Sequence, residues 1–284
     1  MSRPNQGFVE ATVVAVGHQR ARNTGRMNHI EDRHEPIVCG DIDDRVGVPM
    51  ASRGLPLAQG TAQPVLDARS LIDCLGLGNA IAVLRIKLAF PAEVFALAAR
   101  PLIDGHAEFV QMLPVSGSKR FALAGGQLHR ALATALRSLD RRRGQILPRG
   151  AAPEVIGAQA HRWTYAVFVA ALLRDMPQVS KGMRVWMAMG PGIARAWSPS
   201  EGSMRIRGAL GYRIEILPPE VVSDDINPAM ALQLYERCVP AAIQDWLRED
   251  PALMAAGTHR SYNCNAMAGL MSSDTTSGGK ISMR

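Results

Sequence analysis

Apolar residues recur at helical spacing through most of the middle of the chain. The clearest case is the segment 125–143, in which Leu128, Leu132 and Leu139 fall on one face at three- and four-residue intervals. Gly144 follows at the position that glycine prefers after the end of a helix. The pattern predicts an amphipathic helix that turns this leucine face towards a core.

A second long helix is predicted over residues 154–175. Pro153 suits its first turn, and Pro177 stops it because proline has no backbone N–H for the helical ladder. Residues 163–173 form the longest apolar stretch of the chain, which indicates a buried central helix. No apolar run reaches the eighteen or so residues of a membrane span, and the amino-terminal residues do not resemble a signal peptide. We therefore expect a cytoplasmic protein with no membrane partner.

Shorter helices and two strands complete the pattern. Asp67 can cap a helix, Gly76 and Gly78 mark a turn, Asn79 can cap the next helix, and Pro91 and Pro101 can each begin a further helix. Alternating apolar residues predict strands at residues 183–189 and 204–217, joined as a hairpin, and helices return over residues 227–255. The fold class predicted is mainly α with a small β-hairpin insertion.

The chain divides into three regions by composition. Residues 1–63 lack a periodic apolar face and are expected to be poorly ordered, residues 64–257 form the helical domain, and residues 258–284 form a disordered tail. His29 and His34 in the first region are five residues apart, which does not place two metal ligands on one helical face. The four cysteines lie far apart and are expected to be separate reduced thiols.

Positive charge is concentrated in one segment. Residues 119–149 carry eight basic side chains and one acidic side chain, a surplus equal to the net charge of +7. Such a segment is a candidate nucleic-acid contact, and a merely solvated helix face is the alternative. The candidate nucleic-acid-binding residues are Lys119, Arg120, Arg130, Arg137, Arg141, Arg142 and Arg143.

No familiar catalytic motif is present in the sequence. It contains no GxSxG, no P-loop of the form GxxxxGK[S/T] and no HExxH. His129 and His161 lie on different predicted helices and could meet in space, although a surface or core position is the more common role of such histidines.

Three segments, taken in order, resemble a known family. FVQMLPVS at residues 109–116, AGGQL at residues 124–128 and RWTYAVFVAALL at residues 162–173 are similar to the TraI-type relaxase domain of integrative conjugative elements, the MobH class. The resemblance extends over residues 64–253. It implies an HD-like helical domain, a role in conjugative DNA transfer and metal-dependent phosphodiester chemistry.

This sequence differs from the family at the positions that correspond to the family's metal ligands. The family histidines correspond to Lys119, Arg120, Phe121, Arg130 and Arg174. Only Asp175 of the HD pair remains, with His129 as a possible second remnant, so the resemblance implies no intact catalytic residue, no metal and no other cofactor. Each arginine or lysine would repel a unit positive charge about 4 Å away by about 4 kcal/mol at an effective dielectric constant near 20.

The sequence therefore predicts a relaxase-like conjugation protein that contacts DNA but is catalytically degenerate. DNA and other conjugation proteins are the expected partners. One alternative is an active nickase with a divalent metal held in a site rebuilt from His129, His161 and Asp175. A second alternative is a non-catalytic module that docks other transfer proteins.

Overall fold

The computed structural model describes residues 62–148, 150–222, 227 and 229–253. The expectations for nearly all of residues 1–63, including His29 and His34, and for the tail at 258–284 lie outside these described residues. None of the described helices has the length and apolar character that a bilayer crossing requires.

Helices dominate the fold, as predicted, and a small antiparallel sheet packs beside them. The helices are α1 (Ala68–Cys74), α2 (Gly78–Leu88), α3 (Ala92–Val94), α4 (Arg100–Val110), α5 (Gly126–Arg143), α6 (Pro153–Leu173), α7 (Ala229–Cys238) and α8 (Ala241–Arg248). The strands are β1 (Gln63–Pro64), β2 (Met183–Gly190), β3 (Ile193–Ala196) and β4 (Gly211–Ile216). Short 3-10 turns lie at Met176–Gln178, Pro199–Glu201 and Pro219–Val221.

Helices α1 and α2 begin near the predicted positions, with one correction. Asp67 caps α1, because its carboxylate accepts a hydrogen bond of 2.8 Å from the backbone N–H of Ser70. Helix α2 starts earlier than predicted: Leu77, not Asn79, is its cap residue, and no side chain caps it. The buried Leu77 anchors this end in the core, and its carbonyl accepts the first helical bond from Ile81.

Helices α3 and α4 are continuous, although the sequence predicted a restart at Pro101. A π-helical turn, Phe95–Ala99, joins them, and the N–H of Arg100 bonds to the carbonyl of Phe95 five residues earlier. Pro101 explains the wide turn. It has no N–H to donate, and its ring would clash with a carbonyl in a regular α-helix.

The core is centred on α5 and α6, which pack along each other. Tyr165 and Phe168 of α6 are fully buried, and the Tyr165 hydroxyl donates a hydrogen bond of 2.7 Å to the carbonyl of Ala98. Helix α5 also packs against α2 and α4, and α6 packs against α2 and α8. The prediction of a buried central helix over residues 163–173 is confirmed.

The sheet is larger than the predicted hairpin. Its strand order is β1-β4-β2-β3, and every pairing is antiparallel. The two predicted strands do pair, as β2 and β4, but residues 204–208 form turns rather than strand. Strand β3 was not predicted. The hydroxyl of Tyr212 accepts a 3.0 Å hydrogen bond from the N–H of Met112, which fixes the sheet to the end of α4.

Candidate functional site

The carboxyl end of α6 places a charged cluster next to α5. Arg174 is the cap residue that ends α6, and Asp175 lies between it and the Met176–Gln178 turn. The Asp175 carboxylate lies 2.9 Å from Nε of Arg130 and 3.2 Å from Nε of Arg174. Its side chain is 15% exposed. Two guanidinium groups therefore hold one half-buried carboxylate.

The two arginines occupy both oxygens of Asp175. Arg130 reaches Oδ2 through Nε and Oδ1 through Nη2, and Arg174 reaches Oδ1 through Nε and Oδ2 through Nη2. Forked contacts of this kind are the strongest that arginine makes with a carboxylate. The cluster has a net positive charge. A divalent cation would have to compete with the two arginines for the carboxylate, and the arginines would also repel it.

The donor set therefore does not fit a metal ion. Among the described residues, no three His, Cys, Asp or Glu side chains are grouped closely enough to hold one. The resemblance predicts metal-ligand positions at Arg130 and Arg174, and the structure brings both of these side chains onto Asp175.

His106 on α4 is a histidine whose pKa the charge of Asp175 affects, and it was not among the residues predicted for the site. It is 3% exposed, and its Nδ1 atom has no hydrogen-bond partner among the described residues. Burial lowers the pKa of His106 to about 4, although the negative charge of Asp175 acts to raise it. The imidazole is therefore neutral at pH 7. Its spacing from Leu102, Phe109 and Val110 would have placed it on the buried face of α4.

The other two candidate histidines do not join this cluster. His129 is half-buried on α5, and burial alone lowers its pKa. Successive helical residues point about 100° apart, so His129 and Arg130 leave α5 in different directions, and the described residues contain no group of ligands that includes His129. His161 stacks near Phe90 with 5.8 Å between ring centroids.

His161 is also too far along α6 to share a ligand with Asp175. The two lie fourteen residues apart. At about 1.5 Å per residue, this corresponds to roughly 20 Å along the helix axis. A metal site rebuilt from His129, His161 and Asp175 is therefore not assembled in this structure.

The loop before α5 lies beside the segment that follows Asp175. The side chain of Gln127 donates a 3.1 Å hydrogen bond to the carbonyl of Val179, which ties the start of α5 to this segment. Within the loop, Phe121 is buried and its carbonyl accepts a 2.8 Å bond from the N–H of Val115. Arg120 lies over the Phe121 ring at 5.4 Å, and Lys119 is exposed.

A family model matches most of the part of the chain that contains these features. The model is that of TraI_2, described as "Putative helicase", and it matches residues 78–270. The chain belongs to the TraI_2 family. The match covers about two thirds of the sequence and confirms the TraI-type resemblance as a conjugation-related domain. No curated protein matches the chain.

The TraI_2 match begins at the first residue of α2 and includes α5, α6 and strands β2 to β4. The loop before α5, the Asp175 cluster and the basic segment all lie within it. The assignment to the MobH class and the HD-like description are finer than this match and stay predictions.

Within the TraI_2 domain, the basic segment does not form one face. Arg130 points inwards to Asp175, and Nη1 of Arg142 donates a 2.8 Å bond to the carbonyl of Gln145. The half-buried members of the predicted DNA-binding set are Arg120, Arg130, Arg137 and Arg142, and the exposed members are Lys119, Arg141 and Arg143.

The exposed arginines lie at the end of α5, where the neighbouring acid is already paired. Asp140 forms an ion pair with Lys87 of α2. Among the described residues, Arg141 and Arg143 have no ion-pair partner. This end of α5 therefore presents two arginines to solvent, and no carboxylate in the described part of the chain neutralises them.

Proposed function

We propose that this chain is a catalytically degenerate TraI-type domain that contacts DNA in conjugative transfer, in association with other transfer proteins. The observation that carries the proposal is the pairing of Asp175 with both Arg130 and Arg174. The family resemblance predicts metal ligands at these positions. Because the carboxylate is already bound by two permanent cations, this pairing supports a domain that no longer carries out metal-dependent chemistry.

We propose that positively charged side chains contact the DNA, and that no ATP-driven step is involved. The 284 residues contain no phosphate-binding P-loop, although the family description is that of a helicase. Lys119, Arg141 and Arg143 are exposed and can meet phosphates. The proposal assigns them contacts with the DNA backbone that do not depend on base sequence.

The purified protein should carry no tightly bound divalent metal and should not nick supercoiled plasmid that contains a transfer origin. The reason is the positive charge around Asp175, which opposes any cation. Elemental analysis after dialysis, together with a plasmid-nicking assay in added Mg²⁺ or Mn²⁺, measures both outcomes.

Two variants give this prediction its controls. The double exchange Arg130→His with Arg174→His removes both guanidinium groups and is the minimum change expected to restore metal binding. Asp175→Ala should change neither metal content nor nicking in the natural protein. If the natural protein contained one equivalent of metal and lost it in Asp175→Ala, the active-nickase alternative would replace our proposal.

The double variant Arg141→Ala with Arg143→Ala should bind duplex DNA more weakly and with less dependence on salt. Each phosphate contact contributes about 0.9 to the slope of log K against log salt, so losing both should lower the slope by about 1.8. Titration by fluorescence anisotropy at several salt concentrations measures the slope.

A matched control removes two arginine charges from other parts of the surface. Arg69 and Arg248 lie on α1 and α8, and each pairs with a nearby aspartate on its own helix. The double variant Arg69→Ala with Arg248→Ala should keep the natural slope. Equal slopes in all three proteins would mean that the end of α5 is a solvated surface, and a module that docks other transfer proteins would then be the better account.

A further inference from the structure

The outer face of the sheet carries an exposed tryptophan between arginines. Along β2, Met183, Val185 and Met187 are buried in the core, whereas Arg184 and Trp186, which alternate with them, are exposed. Strand residues alternate between the two faces of a sheet, so the exposed pair shares the face that points away from the core. Trp186 is 36% exposed, whereas Trp163 and Trp197 are buried.

Strand β4 adds charged residues to the same face. Tyr212 and Ile214 are buried, and Arg213 and Glu215 are exposed. Arg213 lies directly opposite Trp186 in the β2–β4 register. On the other side of Trp186, the register places Ala196 of β3. The tryptophan therefore sits in a row between an arginine and an alanine.

The next row of this face consists of small residues. Ala188 of β2 pairs with Ala194 of β3 and with Gly211 of β4. A row without large side chains leaves space beside the indole. An aromatic ring with open space on a sheet surface can receive a flat molecule by stacking.

Glu215 fixes the orientation of the tryptophan. Its carboxylate accepts a 3.1 Å hydrogen bond from the indole N–H and lies 3.7 Å from Nη1 of Arg184. The indole is thereby held in place before a ligand arrives, which reduces the entropy that binding would cost. Among the described residues, Arg213 has no ion-pair partner, so its charge is available to an anion.

We propose that this outer sheet face binds single-stranded DNA, with a base stacked on Trp186 and the adjoining phosphates held by Arg213 and Arg184. Aromatic side chains on a sheet, combined with positive charge along the backbone path, are how proteins hold unpaired strands without reading their sequence. The bases of a duplex are already stacked on one another, so this face should favour unpaired DNA. The choice of DNA rests on the proposed function of the chain.

The test titrates the full chain with oligo-dT and measures both affinity and tryptophan emission at constant salt. Stacking on Trp186 should quench the emission. Trp186→Ala should weaken binding about 5- to 100-fold, as expected for the loss of one base–aromatic stack. Trp186→Phe should retain most of the affinity while losing the quenching, because a phenyl ring still stacks.

Three further variants make the result specific. Arg213→Ala should lower the salt slope by about 0.7, the value for one phosphate contact on a single strand. Glu215→Gln should bind oligo-dT more tightly because it removes a negative charge near the phosphates. Trp246→Phe is the control, since this half-buried ring lies 5.2 Å from the guanidinium of Arg162 and away from the sheet face, and it should leave affinity and quenching unchanged.

The outcomes separate this site from the basic end of α5. Trp186→Ala should retain duplex binding, and Arg141→Ala with Arg143→Ala should retain the quenching by oligo-dT at low salt. If Trp186→Ala folds normally by circular dichroism and binds oligo-dT as the natural protein does, the sheet face does not hold single-stranded DNA. Quenching that survives in Trp186→Phe would also overturn the proposal, as would capture of a protein partner through this face with no effect of DNA.

Discussion

Gly126→Ala should lower the free energy of unfolding by about 3 kcal/mol, close to the upper range for overpacking a tight site. A Cβ atom on Gly126 would overlap the carbonyl oxygen of Phe121 and would also lie 3.2 Å from the N–H nitrogen of Val115. Neither atom can move freely, because that carbonyl accepts a 2.8 Å bond from Val115. Urea denaturation followed by circular dichroism measures the loss.

Gly157→Ala is the matched control for this substitution. Gly157 lies inside α6, and nothing in the described structure lies within 4 Å of an added Cβ. Alanine is the better helix former, so this variant should be more stable by about 0.5 to 1 kcal/mol. Equal stability of Gly126→Ala and the natural protein would show that the loop before α5 is not packed as described.

The stability of the protein should fall by about 3 kcal/mol between pH 6.5 and pH 4 because of His106. The unfolded chain takes up a proton near the ordinary pKa of histidine, whereas the folded chain does so only near pH 4. The unfolded state therefore binds more protons in this window, and each unit of pKa difference corresponds to about 1.4 kcal/mol. The contribution of the neutral His106 to the stability of the folded state is fully present above pH 6.5 and is lost as the pH falls towards 4.

His106→Leu isolates this contribution from those of the carboxylates. An apolar side chain of similar size suits the site, because the buried Nδ1 atom has no hydrogen-bond partner among the described residues. Urea midpoints measured across pH 4 to 7 should separate as the pH falls, because the natural protein loses the contribution of His106 and His106→Leu has none to lose. If both proteins lose the same stability over this range, His106 is not held neutral by burial.

The long helices could be predicted from the sequence, because their signals are local. Gly125, Gly126 and Gly144 marked the ends of α5 almost to the residue, and Pro153 marked the start of α6. In both helices the apolar period agrees with the end signals, so separate lines of evidence indicate the same boundaries.

Strand β3 could not be predicted in this way. All four of its residues, Ile193–Ala196, are exposed, so it has no alternation of apolar and polar positions to reveal it. It forms because a tight turn, with Gly192 at a positive φ of 72°, returns the chain beside β2. Pairing with a neighbour, rather than burial of a face, makes it a strand.

The contacts of the charged site were only partly predictable. The sequence grouped Arg130 with Arg137 and Arg141 as candidate nucleic-acid contacts, but a sequence pattern does not identify the contact partner of a side chain. The turn after α6 brings Asp175 within 2.9 Å of Arg130, so this arginine leaves the surface set. His106 was not predicted, because a single polar residue on an otherwise apolar helix face does not by itself indicate a functional site.

The pairing of Asp175 with two arginines has a consequence for how the gene can change. The two arginine codons CGU and CGC become histidine codons through one nucleotide exchange, so an arginine encoded by either of them is one mutation away from a potential ligand. After either exchange alone, the other guanidinium still occupies the carboxylate at 2.9 or 3.2 Å. The first mutation therefore gains no metal for selection to favour. Under the proposed function, this two-sided arrangement therefore opposes a return to metal binding by single substitutions.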